Sequence, residues 1–131
     1  MIYEIDGERF STLEEFYGET DRVMHLFSWG HNLDAFNDIL RGELGTPEGG
    51  FTIRWKNHHT SRERLGYPGT IRQLRLRLER CHPANRERVA VYLSDAEQGR
   101  DQTVFDWLVG IIRKHGRGGE EEQDRVELFL D

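Results

Sequence analysis

Trp29-Gly30-His31-Asn32-Leu33-Asp34-Ala35-Phe36-Asn37-Asp38-Ile39-Leu40-Arg41-Gly42 is the stretch that decides how this chain is read. A glycine turn feeds a short helix, and Gly42 stops it. At about 100° per residue, Leu33, Phe36, Ile39 and Leu40 fall together on one side. Asp34 and Asp38, four residues apart, stand one above the other on the opposite side. Two carboxylates stacked in this way repel each other by a few tenths of a kcal/mol in an isolated helix. A helix that keeps the pair suits a cationic visitor; the alternatives are an ordinary solvated face, or neutralisation within the chain by Arg41, three residues beyond Asp38.

Outward from this helix, short strands and helices follow in turn. Ile2 to Ile5 reads as a strand closed by the Asp6-Gly7 turn. Ser11 with Glu14 reads as a capping box opening a helix that carries Leu13, Phe16 and Tyr17 inward and runs to about Leu26, weakened by Gly18. Gly45 to Gly50 is a loop by composition. It lacks the Gly-Lys-Ser/Thr of a phosphate cradle. Phe51, Ile53 and Trp55 alternate with Thr52, Arg54 and Lys56, a half-buried strand ended by Asn57 to Ser61. Residues 57–102 hold two further segments. Thr70 to Arg80, with a Thr70/Gln73 capping box, predicts a helix, although Leu74, Leu76 and Leu78 also alternate as a strand would. Pro83 breaks it at His82. Asn85 caps a second helix that places Val89, Leu93 and Ala96 inward and stops at Gly99. Thr103 and Asp106 open the last helix, whose apolar face is Val104, Phe105, Leu108, Ile111 and Ile112. A charged loop, 117–124, leads to a final strand, Arg125 to Leu130. Strand, helices, strand, helices, strand predicts an α/β fold: a three-stranded parallel sheet packed with helices, joined by right-handed crossovers.

Length and composition bound the function. At 131 residues the chain is expected to form one domain, residues 1–131, with a core of useful size. It is 36% hydrophobic and 32% charged, yet three Trp, seven Phe and four Tyr mark it as globular and not disordered. A single cysteine, Cys81, excludes an intrachain disulfide and fits a reducing cytoplasm. The start, Met1-Ile2-Tyr3-Glu4, is not that of a signal peptide, and no segment is long enough to cross a membrane. The net charge of −6 is unevenly spread. Residues 1–53 carry 3 basic and 11 acidic side chains, residues 54–100 carry 11 and 5, and residues 101–131 carry 4 and 8. An acidic first third suits a basic partner by electrostatic steering.

Gly30, Asn32-Leu33-Asp34-Ala35, Asp38 and Gly42 resemble the second helix of the barstar family, small intracellular inhibitors of secreted microbial ribonucleases. The resemblance is strong over residues 26–43. It is weaker but in the right order for Met1 to Gly7, Ser11 to Tyr17, Phe51 to Trp55 and the last thirty residues, and it leaves out 57–102, read as a helical insertion. Ser28-Trp29 stands where the family often has two tyrosines, and Asn37 where an aromatic is common. The resemblance implies the barstar-like fold and an inhibitor, not an enzyme, that plugs the active site of a basic ribonuclease with this helix and the turn before it. Asp34 and Asp38 then stand in for substrate phosphates. Trp29 is the aromatic anchor, Gly30 allows close approach, His31, Asn32 and Asn37 make polar contacts, and Arg41 and Glu43 complete the face. No cofactor or metal is implied, and a monomer is favoured.

Other chemistries fit less well. Carboxylates side by side on one helix do not flank a bond in a cleft, as glycosidase acids must. His58, His59, Cys81 and His82 match no metal-ligand spacing. Arg62, Arg64, Arg72, Arg75, Arg77, Arg80, Arg86 and Arg88 make RNA the serious competitor. The aromatics among them that might stack on bases are only Tyr67 and Tyr92. The alternative is therefore a barstar-fold adaptor for another basic protein, or for RNA through residues 57–102.

Overall fold

The computed structural model describes residues 1–26 and 28–131. Phe27, inside the stretch that carries the resemblance, lies outside the described residues. The strands are β1 (Ile2–Asp6), β2 (Phe51–Lys56) and β3 (Val126–Leu130), all parallel in the order β1-β2-β3. Ile2 pairs with Thr52 and Phe51 with Val126, so one register runs across the sheet. Side-chain alternation then sorts its faces. Tyr3, Ile5, Phe51, Ile53, Trp55 and Val126 are buried, whereas Ile2, Arg54 and Phe129 are exposed. This is the α/β architecture expected, with the central strand the one whose alternation was plainest.

The helices are α1 (Leu13–Met24), α2 (Leu33–Leu40), α3 (His58–Arg64), α4 (Tyr67–Arg80), α5 (Arg86–Glu97) and α6 (Val104–Lys114). Trp55 is the hub beneath them: its ring stacks on Phe16 at 5.4 Å and meets Phe105 edge-on at 5.3 Å. Its Nε1 donates to the buried Ser61 Oγ at 2.9 Å, so the polar end of the indole is satisfied. Phe16 also meets Phe36 at 5.4 Å, which braces α2 against α1 from behind.

Several local readings shift. The cap of α1 is Thr12, not Ser11: Thr12 Oγ1 accepts the Glu15 amide at 3.1 Å, and Glu15 accepts the Ser11 amide at 3.0 Å. α1 ends at Met24, with His25 in the left-handed region. The stretch after β2, expected only to end that strand, is α3. Asn57 turns the chain at φ 57°, and Ser61 and Leu65 are buried beneath it. So few inward positions leave almost no periodic signal. α4 begins at Tyr67, before Thr70. Thr70 is not a cap: its hydroxyl donates to the Gly66 carbonyl at 2.9 Å and accepts the Val104 amide at 2.8 Å, joining α4 to α6. α5 has Asn85 at its start without a side-chain cap bond. The Thr103/Asp106 capping box of α6 forms as read. β3 begins at Val126.

Gly42 stops α2 for a reason visible in its backbone. Its φ is +87°, and a Cβ there would lie 2.5 Å from Glu48 Cα. Gly42→Ala is expected to cost about 2 kcal/mol, read as a lowered urea midpoint at unchanged slope.

Candidate partner-binding site

The site is built on α2 and the turn before it. Asn32 opens the helix, its Oδ1 accepting the Ala35 amide at 2.8 Å. Ser28 and His31, at φ 55° and 47°, bracket Trp29-Gly30 in left-handed conformations that side chains seldom adopt. Such backbone is held only where its surroundings over-determine it, often at binding sites. Here the surroundings centre on Asp21 of α1. Its carboxylate accepts the Trp29 Nε1–H, and His31 Nε2 lies 2.8 Å from its second oxygen. Trp29 meets Tyr17 edge-on at 5.3 Å and His31 at 4.7 Å.

Asp34 is exposed and, among the described residues, makes no side-chain hydrogen bond or ion pair. Asp38 is 43% exposed at its side chain and accepts from Arg41 Nη1 at 2.7 Å. Arg41 in turn donates through Nε to Glu121 Oε1 at 2.9 Å, from the loop before β3. Its guanidinium is thus shared between two carboxylates. Below it, His115 is fully buried, with Nε2 2.6 Å from Asn37 Oδ1 and Nδ1 2.6 Å from Asp124 Oδ2. The ring thus bridges the Asn37 side chain on α2 to Asp124 in the loop before β3. These long-range ties clamp the back of α2 while its outer acids stay on the surface.

A family model described as Barstar (barnase inhibitor) matches residues 1–105. The chain belongs to the barstar family. No curated protein gives a significant match. The matched span takes in all of 57–102 and stops before β3, so it does not itself mark those residues as an insertion. The barstar family is one of inhibitors, not of enzymes, and its members' partners are ribonucleases. No helix among the described residues is long and apolar enough to cross a membrane.

Within this barstar-family chain, two of the residues expected at the partner face are turned inward. Trp29 is only 8% exposed. It supports the turn from beneath instead of lying on a partner as an anchor, because Tyr17 and Asp21 offer its ring and its N–H better places than solvent does. Asn37 directs its amide to His115 and not outward. Gly30, His31, Asn32, Asp34 and Glu43 are exposed, while Asp38 and Arg41 are half-buried. A Cβ at Gly30 would lie 2.7 Å from Asn32 Nδ2, disturbing the cap of α2. Asp21, His115, Glu121 and Asp124 had no sequence signal. Each meets the site from another element, as far as 80 residues away.

The competing chemistries fare differently. Among the described residues His58, His59, Cys81 and His82 form no metal-sized cluster; the one such group is His115, Glu121 and Asp124. Arg41 already holds Glu121, Lys114 Nζ lies 3.5 Å from its second oxygen, and the two cations disfavour a metal there. Many of the arginines proposed for RNA are engaged at home. Arg72 pairs with Glu14 at 3.0 Å and Arg75 with Glu97 at 3.4 Å. Arg77 lies over the Trp107 ring, and Arg64 Nη1 donates to the Glu8 carbonyl at 3.1 Å.

Four carboxyls held below their ordinary values, Asp6, Glu14, Glu19 and Glu121, tie stability to pH, and the last two show the causes. The Arg41 hydrogen bond, opposed by desolvation, holds Glu121 below its ordinary 4.5. For Glu19, burial pushes upward, but bonds from Arg22 and the Asp6 amide outweigh it and the net shift is down. With folded values below unfolded ones, the unfolded chain binds more protons in this range. Their stabilisation is full above about pH 4.5 and is lost as pH falls through the folded values. Thermal melts from pH 7 to 3 are expected to show that loss, and Glu19→Gln should flatten it in part, leaving the share of the other carboxyls.

Proposed function

We propose that this chain inhibits a barnase-type ribonuclease by covering its active site, acting by occlusion and not by catalysis. Asp34 carries the reading: a carboxylate on the outer face of α2 with no side-chain hydrogen bond or ion pair among the described residues, ready for the Arg, Lys or His side chains that a ribonuclease keeps for phosphate. Asp38 is the second contact. A partner cation displaces Arg41 from it, and Glu121 keeps Arg41 occupied, so no buried charge is stranded. His31, Asn32 and Glu43 ring the acids, and Phe36, Ile39 and Leu40 hold the helix rigid, which limits the entropy lost on binding. The engagement of Arg64, Arg72, Arg75 and Arg77 within the chain favours this over RNA binding.

The test is RNA cleavage by barnase with increasing amounts of the chain. Inhibition near equimolar ratio is expected, with association slowed by added salt as steering is screened. Undiminished cleavage at roughly tenfold excess over the enzyme, at concentrations where a complex of micromolar Kd would form, overturns the proposal.

A further inference from the structure

β3 is an edge strand, bonded to β2 on one side only. Its other side opens into a groove of about 370 Å³ beside the end of α6, where Arg113 and Arg117 stand over Leu128 and Phe129. We propose that this edge takes an extended, acidic segment of another protein as an added strand, with its acids turned to Arg113 and Arg117. The proposal does not rest on the inhibitor reading, and the groove shares no residue with that site.

The backbone is the first observation. The Asp131 amide donates to the Trp55 carbonyl at 2.9 Å, toward β2, whereas the Val126 amide donates outward to the His115 carbonyl at 3.0 Å. Alternation along the strand therefore aims the N–H and C=O of Leu128 and Leu130 at the open side. Among the described residues no backbone hydrogen bond meets them there.

The side chains are the second. Leu128, Phe129 and Leu130 follow one another without the lysine or proline that commonly blunts an exposed edge, and Phe129 is 58% exposed. Arg113 and Arg117 are exposed and make no side-chain hydrogen bond or ion pair among the described residues, while Lys114 between them lies 3.5 Å from Glu121. Leu128 packs on the helix side of the sheet, and Glu127 and Phe129 face away from it. A strand laid on this edge alternates in the same way. Every second side chain then meets the two arginines, which favour an acid. Those between meet Glu127 and Phe129, which favour an apolar group. A second copy of this chain is the poorer occupant. Antiparallel self-pairing gathers the Arg113 and Arg117 of both copies on one face, where they repel.

Fluorescence anisotropy of the full chain tests this with a short labelled peptide alternating valine and glutamate. The control is a peptide of the same composition with its glutamates in one block. The alternating peptide is expected to bind saturably with a Kd below about 1 mM, and the block peptide about tenfold more weakly. Arg113→Glu with Arg117→Glu is expected to weaken binding about tenfold or more, and Phe129→Ala severalfold. Arg80→Glu with Arg88→Glu, outside the groove lining and equal in charge change, is expected to weaken it by less than about twofold. At saturation, amide exchange at Leu128 and Leu130 is expected to slow by about tenfold. No saturable binding up to about 1 mM, equal binding of the two peptides, or unchanged exchange at those amides overturns the proposal. Dimers in sedimentation of the chain alone, with the same amides already protected, give the edge to a second copy and overturn it too.

Discussion

Asp34→Ala and Asp38→Ala are each expected to weaken a ribonuclease complex by roughly thirtyfold or more, about 2 kcal/mol. Both substitutions are expected to leave thermal stability almost unchanged. The two halves of this result have separate causes. In the complex each carboxylate is desolvated against cations, where truncation leaves the partner's charge unpaired. In the free chain Asp34 has no side-chain partner to lose among the described residues, and Asp38 loses only a half-exposed, solvent-screened contact with Arg41. Inhibition constants together with thermal melts on the same preparations check it. Equal inhibition by both variants would remove the acid pair from the mechanism. A large drop in melting temperature would mean that the acids hold the fold and not the partner.

Trp29→Ala is expected to do the reverse, costing about 3 kcal/mol of folding stability. The substitution deletes a buried indole from between Tyr17 and His31 and leaves the Asp21 carboxylate without its N–H donor. In urea the midpoint should fall clearly while the slope stays the same. Trp29→Phe, which keeps most of the ring but not the donor, should recover about half of the loss. A Trp29→Ala chain as stable as the original, but unable to bind, would restore the surface-anchor role that the burial of this residue speaks against.

Much of the architecture was legible because it rests on short spacings. The face of α2, the cap at Asn32 and the alternation of Phe51, Ile53 and Trp55 involve neighbours within four residues. Two elements blurred where that local signal is thin. α3 follows a left-handed Asn57 with hardly any inward apolar side chain, and Thr70 looks like a cap until Val104 is seen to need its hydroxyl. The site was half legible for the same reason. The acids could be placed on one face of a helix, but whether a neighbouring Trp points out or in is not a local property.

From the sequence alone came the parallel α/β plan, the acidic outer face of α2 and membership of an inhibitor family, since periodicity and a short motif suffice for those. Tertiary structure alone decided that Trp29 lies beneath the turn, that Glu121 shares Arg41 with Asp38, that His115 bridges Asn37 to Asp124, and that α4 stands across a groove from Asp34. The physical reason is the range of the contacts. A helix face repeats every few residues, whereas a buried ring or a shared guanidinium is satisfied only by groups that the packing of α1, α4, α6 and the loop before β3 carries in from elsewhere in the chain.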